Sequence, residues 1–172
     1  HAEAGGHDAQ LTRTEIFEKK LALPSGRQVD EKLYVQMEAA AYGLFKLGQE
    51  FCRQKGVILV DSKYEFGLLN GQLTLMDEIH TPDSSRFWLT ETYESRFEKG
   101  LEPEGYDKEF LRRWYVDHGY KGKGVPPEMP ERLVVDLASL YMQVYEKITG
   151  ENFEGFDYPC EERIRDNVKN YI

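Results

Sequence analysis

The stretch 57–78 constrains the fold of this chain more than any other. Val57-Ile58-Leu59-Val60 is a β-branched apolar run that leads into Asp61-Ser62-Lys63-Tyr64-Glu65-Phe66, where polar and apolar residues alternate. Asn70-Gly71 is a strong hairpin signal, and Leu73-Thr74-Leu75-Met76-Asp77-Glu78 reads as the return strand. On a strand, residues two apart share a face, so Asp61, Lys63 and Glu65 point one way while Ile58, Val60, Tyr64 and Phe66 point the other. One face is therefore ionic over three successive positions. That pattern fits a solvated edge, or a buried strand emerging at a ligand cleft.

Helical periodicity surrounds the hairpin. A short helix is predicted after Thr12 or Thr14, with Glu15 three residues beyond Thr12 as a capping box and Leu23-Pro24-Ser25-Gly26 as the stop. Over 28–55, Leu33, Met37, Ala40, Ala41, Leu44, Phe45, Leu47 and Phe51 recur at helical spacing with no interior proline, and Gly56 ends the run. Further helices are predicted over 91–99, 107–118 and 130–149. A Gly/Pro-containing connection covers 119–127, and a charged helix or extension follows residue 158. The expected class is α+β: one domain over 1–172, an antiparallel β-hairpin packed with several helices.

Composition bounds the function. A chain of 172 residues with 40% hydrophobic content builds one sizeable core, or two small lobes sharing an interface, and not a large multidomain enzyme. With 22 Lys+Arg against 31 Asp+Glu, the net charge of −9 argues against nucleic acid or an anionic membrane as partner, so any anionic ligand must be met by a local cluster of cations. No apolar run approaches the roughly 20 residues that span a bilayer. Cys52 and Cys160 are too few for a disulfide framework and lack metal-ligand spacing, which fits a reducing cytosol. Cys52 reads as a small core residue.

The chemistry of the hairpin depends on its register. With a two-residue loop of Asn70 and Gly71, Tyr64 faces Asp77 and Glu78 lies beside Lys63. With a three-residue loop that adds Leu69, Lys63 faces Asp77 next to Glu65. The second register gathers two carboxylates and an ammonium, a set that can hold a hard divalent cation while the lysine meets a phosphate. The plainer alternative is an exposed Lys63–Asp77 salt bridge worth at most about 1 kcal/mol. Downstream, Pro82 stiffens the loop Thr81-Pro82-Asp83-Ser84-Ser85, which leads into Arg86-Phe87-Trp88. Its hydroxyls and the planar fork of Arg86 suit a carboxylate or phosphate, or else form only a turn that caps a helix. Phe87 and Trp88 read as core anchors that fix the direction of Arg86.

Taken together, Val60-Asp61-Ser62-Lys63-Tyr64-Glu65-Phe66-Gly67, Asp77-Glu78 and Thr81-Pro82-Asp83-Ser84-Ser85-Arg86-Phe87-Trp88 closely resemble SAICAR synthetases. The opening Ala2-Glu3-Ala4-Gly5-Gly6-His7-Asp8 and the stretch 119–150 support the match, which spans nearly the whole chain but only the C-terminal part of the family. The resemblance implies a fold related to ATP-grasp enzymes. It implies a cytoplasmic ligase of purine biosynthesis that uses ATP and Mg²⁺ to join L-aspartate to carboxyaminoimidazole ribonucleotide. It assigns Glu65 and Asp77 to the metal or nucleotide phosphates and Lys63 to a phosphate. Asp83, Ser84, Ser85 and Arg86 go to the ribonucleotide, with His7 and Asp8 near the substrate cleft. It also selects the three-residue loop. The family's N-terminal ATP-binding region has no counterpart here, which implies roughly 100 to 150 absent residues, about one ordinary domain. The expectation is a ligase fragment with little or no activity alone; the alternative is a non-catalytic binding remnant.

Overall fold

The computed structural model describes residues 10–106, 108–155, 159–169 and 171. The chain opens with α1 (Arg13–Glu18), whose capping box is the one expected: the Glu15 amide donates to Thr12 Oγ1 at 3.3 Å, and the Thr12 amide donates to Glu15 Oε2 at 2.8 Å. The long helix α2 (Glu31–Gln54) starts at Asp30, whose carboxylate accepts from the Leu33 amide at 2.8 Å. Then come β1 (Val57–Ser62), β2 (Glu65–Leu69), β3 (Gln72–Met76) and β4 (Ser85–Leu89), followed by α3 (Thr90–Glu98), α4 (Glu109–Asp117), α5 (Glu131–Thr149) and α6 (Cys160–Val168). No helix among the described residues is long and apolar enough to cross a membrane.

Three expectations about the strands are corrected. The run 57–66 is not one strand but two, broken at Lys63 and Tyr64, and its halves belong to different two-stranded sheets. The break is stabilised by the serine loop, since the Lys63 amide donates to the Ser84 carbonyl at 2.9 Å. Secondly, Ser85 is not loop but the start of the strand β4, antiparallel to β1. A bulge between Leu59 and Asp61 leaves Val60 without a cross-strand partner and sets Asp61 opposite Arg86. Thirdly, the β2–β3 hairpin adopts the two-residue loop: Glu65 pairs with Met76 and Leu69 with Gln72, and Asn70 (φ 52°) and Gly71 (φ 80°) both take positive φ, as a type I′ turn requires.

α2 and α5 cover the β1–β4 pair. Cys52, Val57, Leu59, Phe87 and Val144 form the core, with Phe45, Tyr106 and Ile148 packed around it. Phe87 is 0% exposed, so the anchoring expected of it is observed, and Cys52 is the core residue it was read to be. This core is small. The chain exposes 13542 Å², whereas a compact monomer of 20.0 kDa exposes roughly 8,700 Å². Several large apolar side chains are exposed among the described residues. Tyr42 on α2 is 72% exposed, and a groove of ≈ 530 Å³ between α2 and β1 is walled by Tyr34, Met37, Tyr42, Phe45 and Tyr64.

Candidate functional site

The charged side chains singled out in the sequence converge where β1, β2, the end of β3 and the serine loop meet. Lys63, Glu65, Asp77, Glu78, Asp83, Ser84 and Lys108 line a cleft of ≈ 180 Å³. In the observed register a regular strand would carry Asp77 to the face opposite Glu65. Asp77 instead lies past the end of β3 with φ 65°, a left-handed conformation that breaks the alternation, and it lines the same cleft as Glu65. The cluster expected from the three-residue loop is thus assembled by a backbone kink. Lys63 Nζ lies 2.7 Å from Glu65 Oε1, not on Asp77. At 59% and 39% exposure this ion pair contributes at most about 1 kcal/mol.

A second cleft of ≈ 280 Å³ shares the wall made by Asp83, Ser84 and Lys108, and adds Asp61, Ser85, Arg86, Glu109 and Arg112. The loop between them is held by its own hydrogen bonds. The Thr81 amide donates to Ser84 Oγ and the Ser84 amide to Thr81 Oγ1, both at 3.3 Å, and the Ser85 amide donates to the Thr81 carbonyl at 2.9 Å. Ser85 is 4% exposed and its hydroxyl donates to Ser62 Oγ at 2.9 Å, so it fixes the loop to β1 more than it offers itself to a ligand. Ser84 lines both clefts. Asp61 accepts from the Arg86 backbone amide at 3.2 Å and from Nε at 2.9 Å, and its carboxylate is also bonded by the guanidinium Nη2. Arg86 is thereby aimed by its cross-strand neighbour, with help from the buried Phe87.

Lys108 and Arg112 complete the cationic wall and were not singled out in the sequence. Lys108 Nζ donates to Asp83 Oδ1 at 2.9 Å, placing the ammonium between the two clefts, while Arg112 bonds Glu109 at 2.9 Å. Four residues apart at the start of α4, they lie on one helical face, and that spacing was a readable signal. His7 and Asp8 lie outside the described residues.

Behind the cleft, the Tyr64 hydroxyl and His80 Nε2 share a hydrogen bond of 2.7 Å. Burial pushes the His80 imidazole below its ordinary pKa and the Tyr64 phenol above its own, Ser62 opposing the latter, so a neutral ring meets a protonated hydroxyl. Among the described residues, no group of three or more His, Cys, Asp or Glu is arranged to hold a metal ion. Mg²⁺ takes one or two carboxylates and completes its shell with phosphate oxygens and water, and Glu65 and Asp77, which line the same cleft, would fit that requirement.

Known proteins resemble this chain in sequence and in fold. The profile of the SAICAR synthetase family matches residues 1–129. A phosphoribosylaminoimidazole-succinocarboxamide synthase from Bacteroides thetaiotaomicron is 42% identical over 174 residues, which cover 99% of this chain and 53% of that protein. The chain therefore spans about half the length of the curated relatives it matches. Among solved structures, a Saccharomyces cerevisiae SAICAR synthase complexed with SAICAR aligns with a TM-score of 0.51 and 33% identity over 72% of this chain and 38% of the other. A SAICAR synthetase in complex with ADP aligns with a TM-score of 0.50 and 26% identity, over 81% of this chain and 60% of the other.

Proposed function

This chain belongs to the SAICAR synthetase family, and on that premise we propose that it supplies the metal and substrate part of an ATP-dependent ligase of purine biosynthesis. The reaction joins L-aspartate to the carboxylate of carboxyaminoimidazole ribonucleotide and releases ADP and phosphate. The observation that carries this reading is the wall shared by the two clefts, Asp83, Ser84 and Lys108, because it joins the cleft of Lys63, Glu65 and Asp77 to the cleft of Arg86 and Arg112.

Each residue has a role that follows from its charge and place. Lys63 meets a nucleotide phosphate. Glu65 and Asp77 would hold Mg²⁺, which when bound supplies the charge neutralisation that phosphoryl transfer demands. Arg86, aimed by Asp61, and Ser84 orient the ribonucleotide, and Lys108 and Arg112 add positive charge where its carboxylate is activated. The carboxylate takes the terminal phosphoryl group as an acyl phosphate, the aspartate amine attacks the carbonyl carbon, and phosphate leaves. This route needs positioning and charge neutralisation more than a nucleophilic side chain, as the chemistry of the clefts suggests. The resemblance adds His7 and Asp8 to the substrate side.

The adenine pocket and the remaining substrate contacts are assigned to the rest of a longer, cytoplasmic polypeptide with an ATP-grasp-related fold, and this chain alone is expected to be inactive. The open apolar groove along α2 and the large exposed area support that assignment. A full-length protein containing this chain should form one succinocarboxamide product per ADP released, and only when aspartate and the imidazole ribonucleotide are both present. ATP consumption without that product, or none at all, contradicts the proposal.

A further inference from the structure

Between β3 and the serine loop the chain turns through Asp77, Glu78, Ile79 and His80. Two of these four, Asp77 (φ 65°) and His80 (φ 54°), are left-handed without being glycine. L side chains disfavour that region, so the surrounding structure has to hold the turn. His80 is held by two contacts. Its Nε2 is hydrogen-bonded to the Tyr64 hydroxyl at 2.7 Å, and the two rings meet edge to face with centroids 5.6 Å apart. The same ring edge faces Gly48, in the C-terminal half of α2, where a Cβ would fall 2.4 Å from His80 Cε1 and 2.7 Å from Nε2. The absence of a side chain at Gly48 lets the imidazole rest on the helix. Tyr64 stands between Lys63 and Glu65 in sequence, and His80 follows Glu78 by two residues. The hydrogen bond therefore ties together the two segments that carry the charges of the smaller cleft.

We infer that Tyr64 and His80 are positioning residues: their hydrogen bond, seated in the notch at Gly48, holds the 77–80 turn so that Asp77 and Glu78 share the cleft of Lys63 and Glu65. Neither ring has to touch substrate. The functional consequence rests on reading that cleft as the metal and phosphate end of the ligase, whereas the structural consequence is independent of it.

Tyr64→Phe removes the hydroxyl and keeps the ring, and two measurements on a full-length protein containing this chain separate the possibilities. Without ligands, amide hydrogen exchange at Thr81 and Ser84, the hydrogen-bonded amides that follow the 77–80 turn, should accelerate about five- to tenfold, the effect of losing one hydrogen bond, while exchange in the core strands β1 and β4 stays unchanged. The Mg²⁺ concentration giving half-maximal ligase activity should rise by a similar factor, with kcat at saturating Mg²⁺ within about twofold of the parent. His80→Ala should reproduce both effects, and His80→Gln, whose amide retains a partner for the phenol, should lessen them. Exchange that is unchanged, or that rises uniformly through the chain, overturns the inference, as does a kcat loss with an unaltered Mg²⁺ requirement. If the parent protein makes no product, the reading of the cleft fails, and hydrogen exchange alone decides the positioning role.

Discussion

Two glycines on the same helix provide a test of how this fold is packed. Gly43 and Gly48 both lie inside α2, but a Cβ at Gly43 meets nothing within 4 Å, whereas a Cβ at Gly48 falls 2.4 Å from His80 Cε1 and 2.7 Å from Leu59 Cδ2. Gly43→Ala is expected to stabilise by about 1 kcal/mol, the helix-propensity difference between the two residues. Gly48→Ala gains the same propensity but must push aside a buried leucine and a histidine locked by a hydrogen bond, and such overpacking costs about 1–3 kcal/mol. The two variants should therefore differ by about 1–3 kcal/mol in urea unfolding, with Gly48→Ala at or below the parent. A His80→Ala change in the Gly48→Ala background should recover part of the loss, because one of the two obstructing side chains is gone. If Gly48→Ala stabilises as much as Gly43→Ala, His80 does not rest on α2 and the account of the 77–80 turn is wrong.

Two further predictions concern charge. Because burial lowers the His80 pKa in the folded protein, the unfolded chain binds its proton first as pH falls. The parent should accordingly lose stability below about pH 6.5 and gain nothing from this group above it; His80→Gln should show a flatter pH dependence in urea titrations at pH 7 and pH 5.5. Asp61→Ala should cost about 1 kcal/mol or less, since the Arg86–Asp61 pair is half exposed, yet in a full-length protein it should raise the KM for the ribonucleotide about tenfold by releasing the arginine from its aim. An unchanged KM would remove Asp61 from that role.

The helices were legible in the sequence because their signals are local. The apolar spacing of α2 and α5, the Thr12–Glu15 capping box and the Asn70-Gly71 turn all appear where expected. The strand β4 was not legible, since Ser85-Arg86-Phe87-Trp88-Leu89 shows no alternation and its partner lies 23 to 32 residues upstream in β1. The break of 57–66 into two strands escaped for the same reason: its stabilising contact, the Ser84 carbonyl on the Lys63 amide, is non-local. At the site, the gathering of Lys63, Glu65 and Asp77 was anticipated but for a wrong cause. The loop has two residues, and the left-handed Asp77, which no residue pattern announces, restores the cluster. Lys108 and Arg112 were missed because α4 reaches the cleft by tertiary packing. Sequence could not show that the Ser85 hydroxyl is bonded to Ser62, a contact 23 residues away.

Glu65 and Asp77 are proposed to serve one metal and phosphate centre, and steady-state turnover of Asp77→Asn in a full-length protein containing this chain tests that role most directly. The substitution keeps the size of the side chain and removes its charge. The account predicts that kcat/KM for Mg-ATP falls by about a hundredfold or more, at least the loss that even an outer-shell partner of a bound metal can produce. Turnover equal to that of the parent, in a protein whose melting temperature is also unchanged, would contradict it.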